Sequence, residues 1–102
     1  MLLTFHFLQQ FLSMPTFHLL VKGKVQGVFY RVSARETAVK TGVKGWIRNS
    51  PEGDVEAVVT GTEEQLSQFI SWCKKGPPGS KVTEVIAKEL EEVQFIEFCI
   101  RR

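Results

Sequence analysis

The hydrophobic period changes several times along the chain, and each change marks a predicted element. Residues 17–25 (FHLLVKGKV) are an apolar stretch that ends at Gly23 or shortly after it, which reads as a β-strand. After Gln26–Arg31, the segment VSARETAVKT reads as a helix. Tyr30, Ala34, Ala38 and Thr41 recur there at helical spacing and form a narrow face of mostly small residues, and Gly42 supplies the glycine stop. Residues 43–49 (VKGWIRN) and 54–61 (DVEAVVTG) predict two further strands, the second alternating through Val55, Ala57 and Val59. Between them, SPEG is hairpin chemistry: Pro51 presets one turn dihedral and Gly53 admits a positive φ, so the two strands pair antiparallel.

Thr62 and Gln65 form a capping box, and Leu66, Phe69, Ile70 and Cys73 follow at i, i+3, i+4 and i+7. That is an amphipathic helix, stopped by Gly76, Pro77 and Pro78. KVTEVIAKELEE (81–92) predicts a fourth strand and QFIEFCIRR (94–102) a short fifth, an edge protected by its charges. Strand, helix, strand, strand, helix, strand is the split β-α-β order of ferredoxin-like folds. The predicted fold is an α+β two-layer sandwich: an antiparallel sheet of four to five strands with two helices on one face.

Length and composition narrow this further. A chain of 102 residues holds one domain with a single two-layer core. A net charge of +2, with 13 basic and 11 acidic residues, carries no basic face for nucleic acid. An RNA-binding version of the fold needs exposed aromatics interleaved with basic residues, and Phe95 and Phe98 are too few for that. Two cysteines and two histidines make neither a disulfide framework nor a metal-ligand spacing, so reduced thiols in the cytoplasm and no metal or cofactor are expected. The opening MLLTFHFLQQFLS lacks a positively charged start and a small-residue cleavage site, and Gln9 and Gln10 interrupt it. It is too short to cross a bilayer. Residues 1–13 therefore read as an apolar extension, whether a misassigned start, an added segment or a partner-binding tail, and residues 14–102 as the domain.

Candidate chemistry concentrates in Gln26-Gly27-Val28-Phe29-Tyr30-Arg31. A glycine turn entering a helix leaves the first backbone N–H groups unpaired, and these attract an anion together with the helix dipole. Arg31, one turn in, has the geometry to fork two phosphate oxygens. On spacing alone, a solvated arginine above water-capped N–H groups is the commoner occupant of such a stretch. Asn49, at the end of the second strand, has the donors and acceptor to orient a water, or serves simply as the first turn residue. His18 reads as structural, Cys73 as a buried thiol, Trp46 as core packing, and Glu89, Glu91 and Glu92 as a solvated strand end.

GKVQGVFYR followed by TGVKGWIRNSPEGDVEAVVTG, with KKGPPGSKV and the closing FCIR, resembles the acylphosphatase family from about Phe17 to Arg102. The resemblance implies a ferredoxin-like fold and hydrolysis of a carboxyl–phosphate anhydride, without metal or cofactor. It further implies a phosphate cradle at Gln26–Tyr30, a phosphate-binding arginine at Arg31 and a water-positioning asparagine at Asn49. Thr41 stands where the family commonly has leucine, and Glu52 where the hairpin often has aspartate. The expected partner is a small acyl phosphate, with phosphate or sulfate able to occupy the loop and no membrane contact. The chain is expected to be a monomer unless residues 1–13 mediate self-association. The alternative is a non-catalytic module of the same fold that binds phosphate or carbamoyl phosphate.

Overall fold

The computed structural model describes residues 13–102, and the expectations for residues 1–12 lie outside them. The elements are β1 (Thr16–Lys24), α1 (Tyr30–Thr41), β2 (Lys44–Asn49), β3 (Val55–Thr60), α2 (Glu63–Lys75), β4 (Lys81–Leu90) and β5 (Phe98–Ile100). They build one five-stranded sheet in the order β4-β1-β3-β2-β5. No helix among the described residues is long and apolar enough to cross a membrane.

Period-two alternation decides which residues meet the helices. Leu19 and Val21 of β1, Val55, Ala57 and Val59 of β3, and Ile47 of β2 share one face. They pack in one buried cluster with Tyr30, Ala34 and Ala38 of α1 and Leu66, Phe69 and Cys73 of α2. The two alanines let α1 lie close to the sheet. Phe69 lies 5.7 Å from Phe98, centroid to centroid. Truncating so buried a phenylalanine costs about 3–5 kcal/mol. The capping box expected at α2 is present in full: Thr62 Oγ1 accepts from Gln65 N–H, and the Gln65 side chain accepts from Thr62 N–H.

The sheet corrects the all-antiparallel expectation, because β5 runs parallel to β2. The cause is where β4 ends. Leu90 pairs with Thr16, Thr16 with Thr60, and Thr60 with Lys44, so β4 finishes at the end of the sheet where β2 begins. Residues 91–97 cross below the sheet and enter β5 from that end. An antiparallel β5 would first have to climb the length of β2, roughly 20 Å at ~3.3 Å per residue. A buried knot pins the crossover: Thr16 and Thr60 hydroxyls lie 2.6 Å apart, Thr60 donates to the Val93 carbonyl at 2.6 Å, and Val93 N–H donates to Thr16 at 2.8 Å. The predicted ends also move, with β4 stopping at Leu90 and β5 spanning only Phe98–Ile100.

Trp46 is a second correction. It was expected in the core, but Ile47 holds the helix-facing position, so alternation turns Trp46 to the opposite face. It is half-buried there, with the guanidiniums of Arg101 and Arg48 at 4.5 and 5.5 Å from its ring. On the same face, His18 and Arg48 both reach Glu56, at 2.7 and 2.6 Å. Cys73 is buried as expected, and neither it nor Cys99 is in a disulfide.

Candidate active site

The chain leaves β1 at Lys24 and enters α1 at Tyr30 through five residues, and three features shape that turn. Val25 is fully buried and anchors it. Gly27 has φ 73° with open space where a Cβ would sit, so backbone conformation rather than crowding requires the glycine. Phe29 is the only non-glycine residue with positive φ among the described residues, at φ 62°, ψ 25°. Left-handed backbone at a phenylalanine costs about 1–2 kcal/mol, and this one is 82% exposed, so burial of its ring does not offset that strain.

Phe29 is also the N-cap of α1, and its side chain makes no capping bond. The helical ladder starts only with Ser33 N–H donating to the Phe29 carbonyl at 3.1 Å. The N–H groups of Tyr30, Arg31 and Val32 therefore have no acceptor within the helix. Together with the positive end of the helix dipole they form an anion-attracting surface.

Tyr30 holds this surface in place. Its ring is buried 5.2 Å from Trp72, and its hydroxyl donates to the Cys73 carbonyl at 2.7 Å, tying the first turn of α1 to the last turn of α2. Burial, with the Cys73 thiol adjacent, keeps the phenol far above its ordinary pKa, so it remains a proton donor in that bond. Tyr30 thus offers its backbone N–H to the turn, while its side chain belongs to the core.

Gln26 has a different task from lining the turn. Its Nε2 donates to the carbonyls of Ser50 and Asp54, at 2.9 and 2.8 Å. The side chain is a brace between the β1–α1 turn and the β2–β3 hairpin.

That hairpin carries Asn49. Its partner across the sheet is Val55 and its helix-facing neighbour on the strand is Ile47, so its side chain lies on the helix side of the sheet. Hairpin duties fall to Ser50, which bonds Asp54 through its N–H and its Oγ, and accepts from Gly53 N–H. Asn49 is thus a strand residue and not the first turn residue. Among the described residues its Oδ1 is buried without a hydrogen-bond partner, which costs about 1–3 kcal/mol unless a donor is supplied.

These parts converge on a concave pocket of about 260 Å³. Gly27, Phe29, Tyr30, Arg31 and Asn49 line it, and Val25, Val32 and Ile100 complete the wall. Arg31 and Asn49, eighteen positions apart, share this pocket, whereas Gln26 and Val28 do not line it. The half-buried Arg31 donates from Nη1 to the Arg101 carbonyl at 3.3 Å, and among the described residues it forms no ion pair. Its charge is free for a ligand anion. The pocket therefore combines an unneutralised guanidinium and uncapped N–H groups, opposite an amide oxygen that lacks a donor. Val25, Val32 and Ile100 were missed because an apolar residue carries no mark of lining a polar pocket; for Ile100 the alternation of Phe98 and Ile100 was the available signal.

Residues 17–100 match the family model described as Acylphosphatase. An acylphosphatase of Thiobacillus denitrificans is 49% identical over 78 residues, covering 76% of this chain and 88% of the relative. The structure of an acylphosphatase from Coxiella burnetii superposes with a TM-score of 0.84 at 35% identity, covering 87% of this chain and 94% of that one. Full-length HypF, solved in a phosphate- and nucleotide-bound form, contains a similar segment: TM-score 0.82, 28% identity, 88% of this chain but 12% of HypF.

Proposed function

The chain belongs to the acylphosphatase family, and on that premise we propose that Arg31 and the uncapped first turn of α1 hold the substrate phosphate while Asn49 holds the attacking water. The overall activity is that of an acid-anhydride hydrolase, splitting an acyl phosphate into carboxylate and inorganic phosphate. What supports the assignment of roles is the pairing inside one pocket of an anion site with a buried acceptor that has no partner among the described residues.

In the reaction as proposed, the phosphoryl oxygens sit against the N–H groups of Tyr30, Arg31 and Val32 and the Arg31 guanidinium. Negative charge that spreads over these oxygens in the transition state meets donors already in place. Asn49 Oδ1 accepts one O–H of the water and aligns its oxygen with phosphorus. The bond from water oxygen to phosphorus forms as the bond from phosphorus to acyl oxygen breaks, and the carboxylate leaves with the electron pair. A carboxylate needs no acid to depart. Asn49 has no basicity to take a proton, so the water's proton passes to a phosphoryl oxygen. Neither a metal nor a cofactor has a step in this scheme. Residues 14–102 constitute the catalytic unit in this reading, with residues 1–13 appended. The unpaired Cys73 and Cys99 fit a reducing, cytoplasmic setting.

Phosphate release from benzoyl phosphate in chelator-containing buffer tests the proposal. Arg31→Ala should lose both inhibition by phosphate and turnover. Asn49→Ala should lose roughly 10²–10³ in kcat, the scale of one preorganised polar group, while inhibition by phosphate persists. Full turnover by Asn49→Ala refutes its role. The likeness to a HypF segment supports a second reading, a phosphate-binding module. Wild-type protein that binds phosphate yet releases none from the substrate would establish that reading instead.

A further inference from the structure

We infer that β4 is a self-complementary edge through which two copies of this chain pair about a two-fold axis. β4 ends the strand order, so one side of its backbone has no strand partner among the described residues. It is ten residues long, without proline. Its irregularity lies near its start, opposite Lys22 and Gly23, leaving Glu84–Leu90 in regular register with β1. Such an edge is a template for another strand unless its side chains oppose pairing.

The charges on this edge match a copy of themselves. A two-fold axis perpendicular to the sheet makes β4 antiparallel to its copy and keeps each face on its own side. Centred on Ile86, it sets Glu84 opposite the partner's Lys88, Lys88 opposite the partner's Glu84, and Ile86 opposite the partner's Ile86. On the helix side, Val85 faces the partner's Ala87. Neighbouring registers lose this match: centred on Val85, Glu84 meets the partner's Ile86, and centred on Ala87 it meets the partner's Leu90. Glu84 and Lys88 are exposed, and among the described residues neither forms an ion pair within the chain. Ile86 is 42% exposed on the face opposite the helices, beside Leu20 of β1. Pairing would therefore cover an apolar side chain, satisfy a row of backbone groups and neutralise four charges in two symmetric pairs.

The pocket of Arg31 and Asn49 lies toward the β2–β5 edge, at the other end of the sheet, so both copies keep open sites. The monomer expected from the sequence gives way in this proposal to a reversible dimer. One strand pair buries less surface than an obligate interface, which makes the pairing weak and reversible.

Sedimentation over a concentration series tests this with four full-length proteins: wild type, Glu84→Lys, Lys88→Glu and the exchange carrying both. Wild type should show a monomer–dimer equilibrium that weakens with added salt. Each single reversal turns two attractive pairs into two repulsive ones and should raise the dissociation constant on the order of 30-fold. The exchange should restore the dimer, and phosphate release per chain should be the same in all four. Three results would overturn the inference: a wild type still monomeric at about 0.5 mM, single reversals that leave a dimer intact, or an exchange that fails to restore it. Unchanged far-ultraviolet circular dichroism and unfolding midpoints separate lost pairing from lost folding.

Discussion

Replacing Gln26 by alanine separates the two ways in which a residue of the β1–α1 turn can serve catalysis. Gln26 Nε2 donates to Ser50 O at 2.9 Å and to Asp54 O at 2.8 Å, and those carbonyls flank the hairpin that follows Asn49. The variant removes two part-buried neutral hydrogen bonds. Ser50 O keeps Gly53 N–H and Asp54 O keeps Ser50 N–H, so neither acceptor is stranded. At about 1 kcal/mol per bond the loss is roughly 2 kcal/mol, a drop of about 10 °C in Tm for a domain of this size. The kinetic effect follows from what stays together. The α1 N–H groups and Arg31 belong to one helix turn and move as a unit, so phosphate affinity should change by less than about threefold. The distance from that unit to Asn49 is what the brace fixes, and a shift near 1 Å costs on the order of 10² in turnover. Thermal unfolding, kcat, and inhibition by inorganic phosphate measure the three quantities. A loss of phosphate affinity as large as that of Arg31→Ala would mean that the Gln26 side chain touches the phosphate itself. Unchanged Tm and kcat would mean the brace carries nothing.

Gly45→Ala should unfold the protein or cost more than about 3 kcal/mol, because Gly45 has φ 146° and a Cβ there would run into the Val58 carbonyl oxygen; chemical denaturation measures it. The Glu56 carboxyl is held below its ordinary pKa of 4.5, first by the hydrogen bond with His18 and then by Arg48. A lowered folded pKa contributes stability above the ordinary value, and that stability is lost as pH falls through the lowered one. Glu56→Gln should therefore lower Tm at pH 7, and the gap to wild type should close as pH falls through the lowered pKa; a gap that stays the same from neutral to acid pH would contradict the linkage. Burial pushes the Cys73 thiol up to about 12, while the half-buried Cys99 donates to Glu97 on the surface. A thiol reagent should thus modify one cysteine per native chain, Cys99, and reach Cys73 only at the rate of unfolding, as mass spectrometry of the labelled peptides would show.

Local chemistry explains why so much of the layout was legible. A capping box spans Thr62 to Gln65, the SPEG turn four residues, and the buried stripe of α2 two helical turns, so each can be read without knowing what lies across the core. The pocket was half legible by the same logic. Gly27, the helix start and Arg31 are one continuous stretch, and Asn49 entered as a strand end. The roles of Gln26 and Tyr30 were not legible. Gln26 is spent on residues 24 and 28 positions away, and Tyr30 on a carbonyl 43 positions away. No periodicity within the turn records those distances.

By itself, then, the amino-acid order determined two helices, a hairpin between strands two and three, and an anion-attracting helix start, because propensity, capping and alternation act within a few residues. Tertiary structure decided the rest. The direction of β5 depends on the end of the sheet at which β4 stops, and Trp46 lies outside the core because Ile47 takes the helix-facing place. Arg31 and Asn49 become one site only when the hairpin folds back and Gln26 ties it to the turn. Until then Asn49 Oδ1 is solvated like any surface amide; burial in the pocket leaves it in need of a donor.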